Sequence, residues 1–399
     1  MMGLFLLQII FWLSGFALVY TYLFYPLLLR WLTRNKALET EQFREETELP
    51  QVSILMAVHN EEAVIQEKLD SLFQQNYPAD KLRIFIGSDN SSDQTNAIIS
   101  GFEQDRFPLH FIPFHSRQGK PGVINQLAQL ASEQQAFGPD HVFIITDASV
   151  MLSAQVVREL VKHFKHPQLA IVDAQMVHTG MTELDISAAE NNYISWEGQL
   201  KYYESILWKK MIGPFGGCYA LRSDFFVPVP DNFLVDDFYI TLEAFERGGL
   251  AIKEPKAICY EPVGHELQEE FRRKARISAG NLQNMFRFPH LWFPPVGLPN
   301  FPFFSHKILR WLGPIWLILL LLCSGILSGN LFYATLFAIL CATYVGIPLL
   351  DELLQSWKIN ASLLRKVRYF LMMNLALLAG YIRYVKGIKS NVWQPPKRQ

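Results

Sequence analysis

Residues 52–62 read VSILMAVHNEE, a run of mostly apolar residues that ends in a histidine, an asparagine and two glutamates. A continuous apolar run of this length, closed by polar residues, is typical of a strand buried on both faces of a sheet. Residues 61–75 then repeat apolar side chains at the three- and four-residue spacing of a helix. This stretch therefore predicts the first strand and the first helix of an α/β domain.

The same alternation of strand and helix continues along the chain. Apolar runs predict strands at 82–86, 110–113 and 141–146, and helical spacing predicts helices at about 94–104 and 121–135. Strands that alternate with helices are typical of an α/β fold with a mostly parallel sheet.

Polar residues follow each of the four predicted strands, at 59–61, 89–93, 116–120 and 147–149. In open α/β sheets ligands bind beyond the carboxyl ends of the strands, so these loops are expected to share one cleft. Acidic side chains and a Gly-Lys pair in one cleft suit a metal-bound diphosphate. A hard cation takes carboxylate and phosphate oxygens together, and a lysine adds a positive charge for phosphate.

The motifs in these loops resemble those of glycosyltransferase family 2, the group that includes bacterial cellulose synthase and hyaluronan synthase. The resemblance covers about residues 50–290 and depends on several short motifs in the family's order. Three segments resemble donor-side motifs: residues 52–62 resemble the opening strand and its Asn-Glu turn, residues 88–93 resemble the loop that holds the nucleotide base, and residues 119–125 resemble the Gly-Lys segment near the donor. Residues 146–149 resemble the Asp-x-Asp metal motif, and residues 235–241 resemble the Glu-Asp motif with the catalytic base. Residues 213–219 resemble the acceptor-site strand, and residues 271–277 resemble the Gln-x-x-Arg-Trp motif.

The resemblance implies a GT-A fold and an inverting transfer of a hexose or N-acetylhexosamine from a nucleotide sugar, usually a UDP-sugar, to a saccharide or lipid-linked acceptor. It implies that Asp237 is the catalytic base and that Asp147 binds Mg²⁺ or Mn²⁺. The implied donor-binding residues are Asn60, Glu61, Asp89, Asp93, Lys120, Asp147, Arg273 and Arg276, and the implied acceptor region holds Gly216, Gly217, Cys218 and Asp236.

Among the departures from the family pattern, which also include Ala57, His59 and Arg273, two bear on function. Ser149 stands where a second metal-binding aspartate is usual, and a hydroxyl is a poorer ligand for a hard cation than a carboxylate. Ile277 stands where polymer-forming members carry a tryptophan that contacts the acceptor sugar. The second departure favours transfer of a single sugar to a lipid over synthesis of a polymer, and both products stay open.

Simpler interpretations compete with several of these roles. The acid pair at 236–237 suits a helix cap, because aspartate is a favoured capping residue. Residues 89–93 also fit ordinary turn chemistry, and Lys120 is alternatively a solvated lysine. The arginines of 271–277 are alternatively part of a basic patch that meets anionic lipid.

The N-terminal part of the chain predicts a membrane-spanning helix. Residues 3–29 carry no charge, and a bilayer needs about 20 apolar residues. The run is too long for a signal peptide and lacks a basic segment before it. Arg30, Arg34 and Lys36 follow it, and positive residues favour the cytoplasmic side, so the next domain is expected in the cytoplasm.

A second uncharged block lies in the C-terminal part. It predicts helices at about 311–328 and 331–350, and a third segment is predicted at about 369–385. Residues 285–305 are rich in aromatic residues and prolines, which disfavours one regular helix and suits the headgroup level of a membrane.

The predicted organisation is an anchor at 1–36, a GT-A domain at 50–285, and an interfacial segment with C-terminal helices at 286–399. We expect a multi-pass protein of the inner, plasma membrane, with a cytoplasmic catalytic domain, contact with membrane lipid, and export or polymerisation components as candidate partners. A net charge of −1 argues against nucleic-acid binding. A non-enzymatic membrane scaffold or transporter subunit is the alternative, but it gives no reason for carboxylates at successive strand ends.

Overall fold

The computed structural model describes residues 2–103, 105–133, 140–180, 187–262, 267–357, 359, 361–388 and 391. The chain divides into two compact units. The α/β unit comprises residues 35–180, 198–263 and 387–399, and the helical unit comprises residues 1–34, 181–197 and 264–386.

Among the described residues, one sheet of eight strands forms the α/β unit, in the order β3-β2-β1-β4-β7-β6-β8-β5. The strands are β1 (Val52–Val58), β2 (Leu82–Asp89), β3 (Leu109–Phe114), β4 (Val142–Thr146), β5 (Met151–Leu152), β6 (Leu169–Thr179), β7 (Cys218–Arg222) and β8 (Leu250–Pro262).

The described helices are α1 (Met2–Val19), α2 (Tyr25–Thr33), α3 (Ile65–Phe73), α4 (Thr95–Ser100), α5 (Gly119–Glu133), α6 (Val156–Val161), α7 (Ser187–Trp208), α8 (Asp236–Glu246), α9 (Leu267–Arg287), α10 (Asn300–Pro302), α11 (Leu309–Trp311), α12 (Gly313–Ile326), α13 (Leu331–Cys341), α14 (Ile347–Ser356) and α15 (Ser362–Val385). Short π-helical segments lie at Tyr20–Phe24, Phe303–Ile308 and Ala342–Gly346, and 3₁₀ turns lie at Glu46–Glu48, Ala79–Lys81, Lys162–Lys165, Ser223–Phe225 and Pro289–Leu291.

The first four strands of the sheet are parallel, as the sequence predicts. Val52 of β1 pairs with Leu82 of β2 and with Val142 of β4, and β2 pairs in parallel with β3. Because these strands run the same way, the loops at their carboxyl ends emerge along one edge. The α/β fold class is confirmed, and the predicted strands and helices of residues 52–146 are present, several with different ends. Residues 104 and 134–135 of the predicted helices lie outside the described residues.

The second half of the sheet is mixed rather than parallel. Strand β7 lies antiparallel between β4 and β6, β6 pairs in parallel with β8, and β5 is antiparallel to β8. Four of the seven strand pairings are therefore parallel. This antiparallel insertion brings the start of β7 beside the end of β4, where two predicted motifs meet.

The predicted helix over residues 61–75 is shorter in the structure. Helix α3 begins only at Ile65, after a turn in which the Glu61 carbonyl accepts hydrogen bonds from the backbone N–H groups of Val64 and Ile65. The Glu61 N–H is held by the Thr95 hydroxyl at 2.8 Å. This hydrogen bond connects the turn to the segment that follows β2. Residues 61–64 therefore form part of the loops at the carboxyl edge of the sheet instead of the first turn of α3.

The helical unit contains long apolar helices. Two helical segments, residues 2–33 and 331–356, are long and apolar enough to cross a membrane. The pair Asn300–Trp311 and Gly313–Ile326, bent by 58°, counts as a third if it forms one span. The predicted segment 369–385 lies within α15, which is not among these candidates.

A buried charge cluster lies inside the helical unit. The Glu197 carboxylate of α7 accepts hydrogen bonds from Arg310 at 2.7 Å and from His306 at 2.9 Å, and it pairs with Lys307. The Arg310 guanidinium lies 4.9 Å from the centroid of the Trp196 ring. Burial of these polar and charged side chains is tolerated because each has a partner. Trp196 packs against the Arg310 guanidinium of this cluster.

Candidate active site

The loops after β1 and β2 are joined to each other by hydrogen bonds. The Asn60 side-chain oxygen accepts from the Ser92 N–H at 2.8 Å, and the Asn60 N–H donates to the Ser91 hydroxyl at 3.1 Å. Asn60 has a φ of 52°, and Asn90 has a φ of 56°. Asparagine tolerates this left-handed region better than most residues, which explains its use at both bends.

Asp93 fixes the same pair of loops. Its carboxylate accepts hydrogen bonds from the Glu62 N–H at 3.1 Å and from the Thr95 N–H at 3.0 Å. Burial acts to raise the pKa of Asp93, but the hydrogen bonds from Thr95 and Glu62 outweigh it and lower the pKa. Asp93 therefore has the turn role that the sequence allows, and its contact with a nucleotide stays a prediction.

Asp89, at the end of β2, is fully buried and organises the loop before α5. Its carboxylate accepts hydrogen bonds from the backbone N–H groups of Gln118 at 2.6 Å and Gly119 at 3.1 Å. The Arg117 guanidinium donates to it at 3.0 Å. With three donors from residues 117–119 on one carboxylate, Asp89 keeps this segment in one conformation.

His59 completes this arrangement as a neutral side chain. Its Nδ1–H donates to the Asp89 carbonyl at 2.8 Å, and Arg117 donates to its Nε2 at 2.5 Å. Burial and then the Arg117 charge lower the pKa of His59. With one nitrogen donating and the other accepting, the imidazole is a structural link rather than a proton carrier.

Lys120 joins two of the predicted motifs. Its Nζ donates to the Asp147 carboxylate at 2.6 Å and lies 3.9 Å from an Asp236 carboxylate oxygen. Burial acts to lower the pKa of Lys120, but the Asp147 and Asp236 carboxylates outweigh it and raise the pKa above its usual range. The alternative that Lys120 is a solvated lysine is therefore wrong.

Asp147 and Ser149 form the candidate metal site. The Asp147 side chain is 39% exposed, and Ser149 is half-buried. In the part of the chain that the structure describes, no cluster of three or more histidine, cysteine or acidic residues could hold a metal ion. One carboxylate and one hydroxyl fit Mg²⁺ or Mn²⁺, which bind through one or two carboxylates and take further oxygens from water and substrate phosphates.

The acid pair opens helix α8. Asp236 is the first residue of the helix and Val235 is its N-cap residue, without a side-chain cap, so the alternative of an aspartate cap is wrong. Burial and then the neighbouring Asp236 carboxylate raise the pKa of Asp237 to about 7. A carboxyl group with this pKa suits general acid–base chemistry near neutral pH.

The glycines before β7 lie against both acidic motifs. Gly216 has a φ of +80°, and a Cβ at this position would come within 2.5 Å of an Asp237 carboxylate oxygen. The Gly217 carbonyl accepts from the Asp147 N–H at 3.0 Å and from the Thr146 hydroxyl at 3.1 Å. Cys218, fully buried, begins β7. The predicted acceptor region therefore adjoins the predicted base.

Sequence reasoning missed the buried Lys68 beneath this site. Its ammonium donates to the Thr146 hydroxyl at 2.9 Å and to the Val150 carbonyl at 2.5 Å, so it holds both ends of the loop that carries Asp147. Burial lowers the pKa of Lys68 to about 8. A signal was present in the sequence, because Lys68 falls on the apolar face of the predicted helix, between Ile65 and Leu72.

Arg273 and Arg276 lie on α9 in the helical unit, whereas the residues described above belong to the α/β unit. The Arg273 guanidinium donates to the Glu270 carboxylate at 2.7 Å, and Lys274 pairs with the same carboxylate at 3.0 Å. The role of the two arginines toward a diphosphate stays a prediction.

Comparison with known families gives two matches. The family described as "Glycosyl transferase family 2" matches residues 53–226, and the one described as "Glycosyl transferase family group 2" matches residues 141–350. The second match covers more than half of the chain. The two matches overlap across the Asp147 loop and the glycines before β7.

Several curated proteins are similar to the chain. The "Probable glycosyltransferase YdaM" of Bacillus subtilis is 25% identical over 300 residues, which cover 72% of this chain and 68% of that protein. The "Beta-monoglucosyldiacylglycerol synthase" of Trichormus variabilis is 26% identical over 179 residues, 44% of this chain and 35% of the synthase. The "Poly-beta-1,6-N-acetyl-D-glucosamine synthase" of Staphylococcus epidermidis is 29% identical over 103 residues, 26% of this chain and 24% of that synthase.

The chain also resembles a solved structure over nearly its whole length. The "Mannosyltransferase PcManGT from Pyrobaculum calidifontis in complex with GDP-Man and Mn2+" superposes with a TM-score of 0.70 at 18% identity, and covers 95% of this chain and 99% of that one. At this identity the likeness is one of fold, and it confirms the expected GT-A architecture.

Proposed function

Given that the chain belongs to glycosyltransferase family 2 and is a glycosyltransferase acting on nucleotide sugars, we propose that it transfers a single sugar to a lipid acceptor with inversion at the anomeric carbon. The observation that carries this proposal is the placement of Asp237 against Gly216, beside the Lys120–Asp147 pair. The alternative of a non-enzymatic membrane scaffold or transporter subunit is wrong, since the chain is an enzyme of this family.

Asp237 is the proposed general base. Its carboxylate takes the proton of the acceptor hydroxyl as that oxygen forms a bond to the anomeric carbon. The bond from this carbon to the diphosphate oxygen breaks on the opposite face, which inverts the configuration. A base with a pKa of about 7 is partly ionised at neutral pH and is strong enough to accept the proton. Gly216 leaves the space beside its carboxylate free of a side chain.

Lys120 and Asp147 are proposed to hold the leaving group. Asp147 and Ser149 would hold a divalent cation, Mg²⁺ or Mn²⁺, which would supply positive charge to stabilise the departing diphosphate. The Lys120 ammonium adds a second positive charge at the same place, because it donates to Asp147 at 2.6 Å. Arg273 and Arg276 are proposed as further phosphate contacts.

The donor base and ribose are proposed to lie at the loops after β1 and β2. Asn60, Glu61 and Asp93 form this surface. Asp89 is fully buried and its carboxylate already receives three donors, so we assign its contribution to holding the loop 117–119. A uracil base is proposed from the family resemblance.

A lipid acceptor is the proposed choice for two reasons. Ile277 replaces the tryptophan expected in polymer-forming members, and the relative named as a glycolipid synthase matches more of this chain than the relative named as a polysaccharide synthase. Long apolar helices are consistent with a multi-pass protein of the inner membrane. A cytoplasmic catalytic unit is part of the proposal, because the positive residues at 30, 34 and 36 favour the cytoplasmic side.

The test is release of nucleoside diphosphate by the full chain purified in detergent. UDP- and GDP-sugars are supplied one at a time with membrane lipid extract, with and without Mn²⁺. We expect release from one donor, and loss of at least a hundredfold in Asp237→Asn. Asp231→Asn, which changes an exposed aspartate five residues earlier than Asp236, is the control and should keep full activity.

Three results would contradict parts of the proposal. Full activity of Asp237→Asn would remove Asp237 as the base. No product from any donor, together with no nucleotide binding by calorimetry in the presence of Mn²⁺, would remove the proposed reaction and its donor. Formation of a polymer rather than a glycolipid, seen by chromatography of the products, would contradict the proposed transfer of a single sugar to a lipid acceptor.

A further inference from the structure

Three neighbouring strands of the sheet carry polar side chains at the same level. Asp173 of β6 pairs in register with Tyr219 of β7 on one side and with Lys253 of β8 on the other. Asp173 and Tyr219 have no exposed surface, and Lys253 is 3% exposed. Central strands are normally lined by apolar residues, and aspartate and lysine are almost never fully buried without a partner. A buried polar row of this kind requires an explanation.

The Asp173 carboxylate links this row to the acceptor region. One oxygen accepts a hydrogen bond from the backbone N–H of Phe215 at 2.8 Å. The other oxygen lies 3.3 Å from the Lys253 ammonium and 3.5 Å from the Lys201 ammonium. Phe215 directly precedes Gly216, so a single buried carboxylate holds the loop that lies against Asp237.

Helix α7 supplies a matching polar face to the same loop. Lys201, Glu204 and Ser205 occupy the i, i+3 and i+4 positions, and all three are buried. The Glu204 carboxylate accepts from the Ile212 N–H at 3.1 Å, and the Ser205 hydroxyl accepts from the Lys253 N–H at 2.9 Å. The loop 212–217 is therefore held at two points, at Ile212 by Glu204 and at Phe215 by Asp173.

The network holds charges of both signs. Two lysines, Lys201 and Lys253, face the Asp173 carboxylate, and the Glu204 carboxylate lies on the same buried face of α7. In the adjacent site the carboxylates outnumber the single ammonium of Lys120. The Lys201 ammonium lies 5.8 Å from the centroid of the Phe215 ring. The charged and titratable groups that act on Asp237 are Asp236 on its own helix, Lys120 of α5, Lys201 of α7 and Tyr219 of β7.

We propose that Asp173, Lys201 and Lys253 form a positioning network for the reaction, in which Asp173 fixes the acceptor loop and Lys201 balances the negative charge of the catalytic acids. The inference rests on the proposed function of Asp237 as base. Lys201 touches neither substrate in this scheme and acts through Phe215 and Asp237. A buried cation is costly without compensation, and the Asp173 carboxylate, 3.5 Å from the Lys201 ammonium, provides it.

The test compares Lys201→Met and Lys201→Arg with Lys210→Met in the full chain. Lys210 is a matched control, because its half-buried ammonium also lies over a phenylalanine ring, that of Phe245 at 4.8 Å, and donates to the Gly249 carbonyl at 2.5 Å. We expect Lys201→Met to lower kcat about tenfold while the donor KM changes less than about twofold. Lys201→Arg should restore most of kcat, and Lys210→Met should keep it.

The pH profile separates this role from simple packing. Loss of a positive neighbour makes the Asp237 carboxylate harder to ionise, so the acid limb of kcat should move to higher pH in Lys201→Met. Asp173→Asn removes a negative charge and should move the same limb to lower pH. Shifts of the acid limb in opposite directions in the two variants would support the network. If Lys201→Met does not fold, the shift in Asp173→Asn alone tests the proposal.

Other outcomes would overturn the inference. An unshifted acid limb in both variants, or shifts of the same sign, would mean that Lys201 does not act on Asp237. An equal loss of kcat in Lys201→Met and Lys210→Met would mean general packing. The wild-type protein is assayed first. If it transfers no sugar, the proposed function is wrong. If wild type and Lys201→Met both transfer sugar at the normal rate, only the proposed positioning network is wrong.

Discussion

The Gly216 backbone lies so close to Asp237 that a Cβ on residue 216 would come within 2.5 Å of an Asp237 carboxylate oxygen. Gly216 also has a φ of +80°, a region that side chains other than asparagine and aspartate rarely adopt. The residue is therefore constrained twice, once by its own backbone and once by the side chain that faces it.

Gly216→Ala separates these two constraints. The new methyl group should displace the Asp237 carboxylate and lower kcat by at least about a hundredfold, because a shift of about 1 Å at a catalytic group has an effect of this size. Gly248→Ala is the control, since Gly248 has a φ of +78° but nothing within 4 Å of the added Cβ. Both variants should lose about 1 kcal/mol of stability through backbone strain. Equal kcat values for the two variants would contradict the close approach.

The pH dependence of transfer should follow Asp237. Its pKa is raised to about 7 by burial and then by Asp236, and the base works only when ionised, so kcat/KM should rise as pH increases through about 7. Asp236→Asn removes a negative neighbour, lowers the pKa of Asp237, and should move this limb to lower pH. Asp231→Asn, in an exposed position, should leave the limb where it is. An unchanged limb in Asp236→Asn would show that another group titrates.

Lys120 and a divalent cation are expected to compete for Asp147. Lys120 donates to the Asp147 carboxylate at 2.6 Å, and a hydrogen bond between charged groups contributes about 1.5 to 3 kcal/mol. Lys120→Met should therefore bind Mn²⁺ about tenfold more tightly in the absence of nucleotide, as measured by electron paramagnetic resonance. Sugar transfer should nevertheless fall, because the leaving diphosphate loses a positive partner. Lys165→Met, which removes a half-exposed lysine paired with Glu48, is the control. Weaker Mn²⁺ binding in Lys120→Met would contradict the competition.

Asp89 should contribute to stability more than to chemistry. Asp89→Asn weakens the hold on the Gln118 and Gly119 N–H groups and leaves the Arg117 charge without its carboxylate. Breaking a buried ion pair costs about 3 to 5 kcal/mol, so the unfolding free energy in detergent should fall by about this amount. Asp80→Asn, at an exposed position, should be neutral. Unchanged stability with lost nucleotide binding would instead favour a direct contact between Asp89 and the base.

The part of the fold that the sequence predicts best is the part built from consecutive elements. The apolar runs of β1, β2 and β4 determine their own identity, and right-handed connections through helices then require parallel neighbours. The motifs at 59–61, 89–93 and 147–149 follow from this arrangement, because each comes directly after a strand.

The antiparallel insertion of β7 could not be predicted in the same way. Its neighbours β4 and β6 are separated from it by dozens of residues, and a short run such as residues 218–222 carries no information about its partners. The polar face of α7 was also missed. Lys201 and Glu204 have the composition of a solvated surface, and only the tertiary structure shows that Asp173 and the Ile212 N–H are there to receive them.

The single carboxylate at the candidate metal site, with Ser149 in place of a second acid, has a consequence for how the enzyme is loaded. A cation at Asp147 must draw most of its ligands from the diphosphate and from water, since no larger acidic or histidine cluster lies within the described residues. Ion and donor then bind as mutual ligands, and each raises the affinity for the other by the same factor. Under the proposed function, an enzyme of this kind would hold little metal between turnovers, and its rate would follow the concentration of the preformed metal–nucleotide complex in the cell rather than that of either component alone.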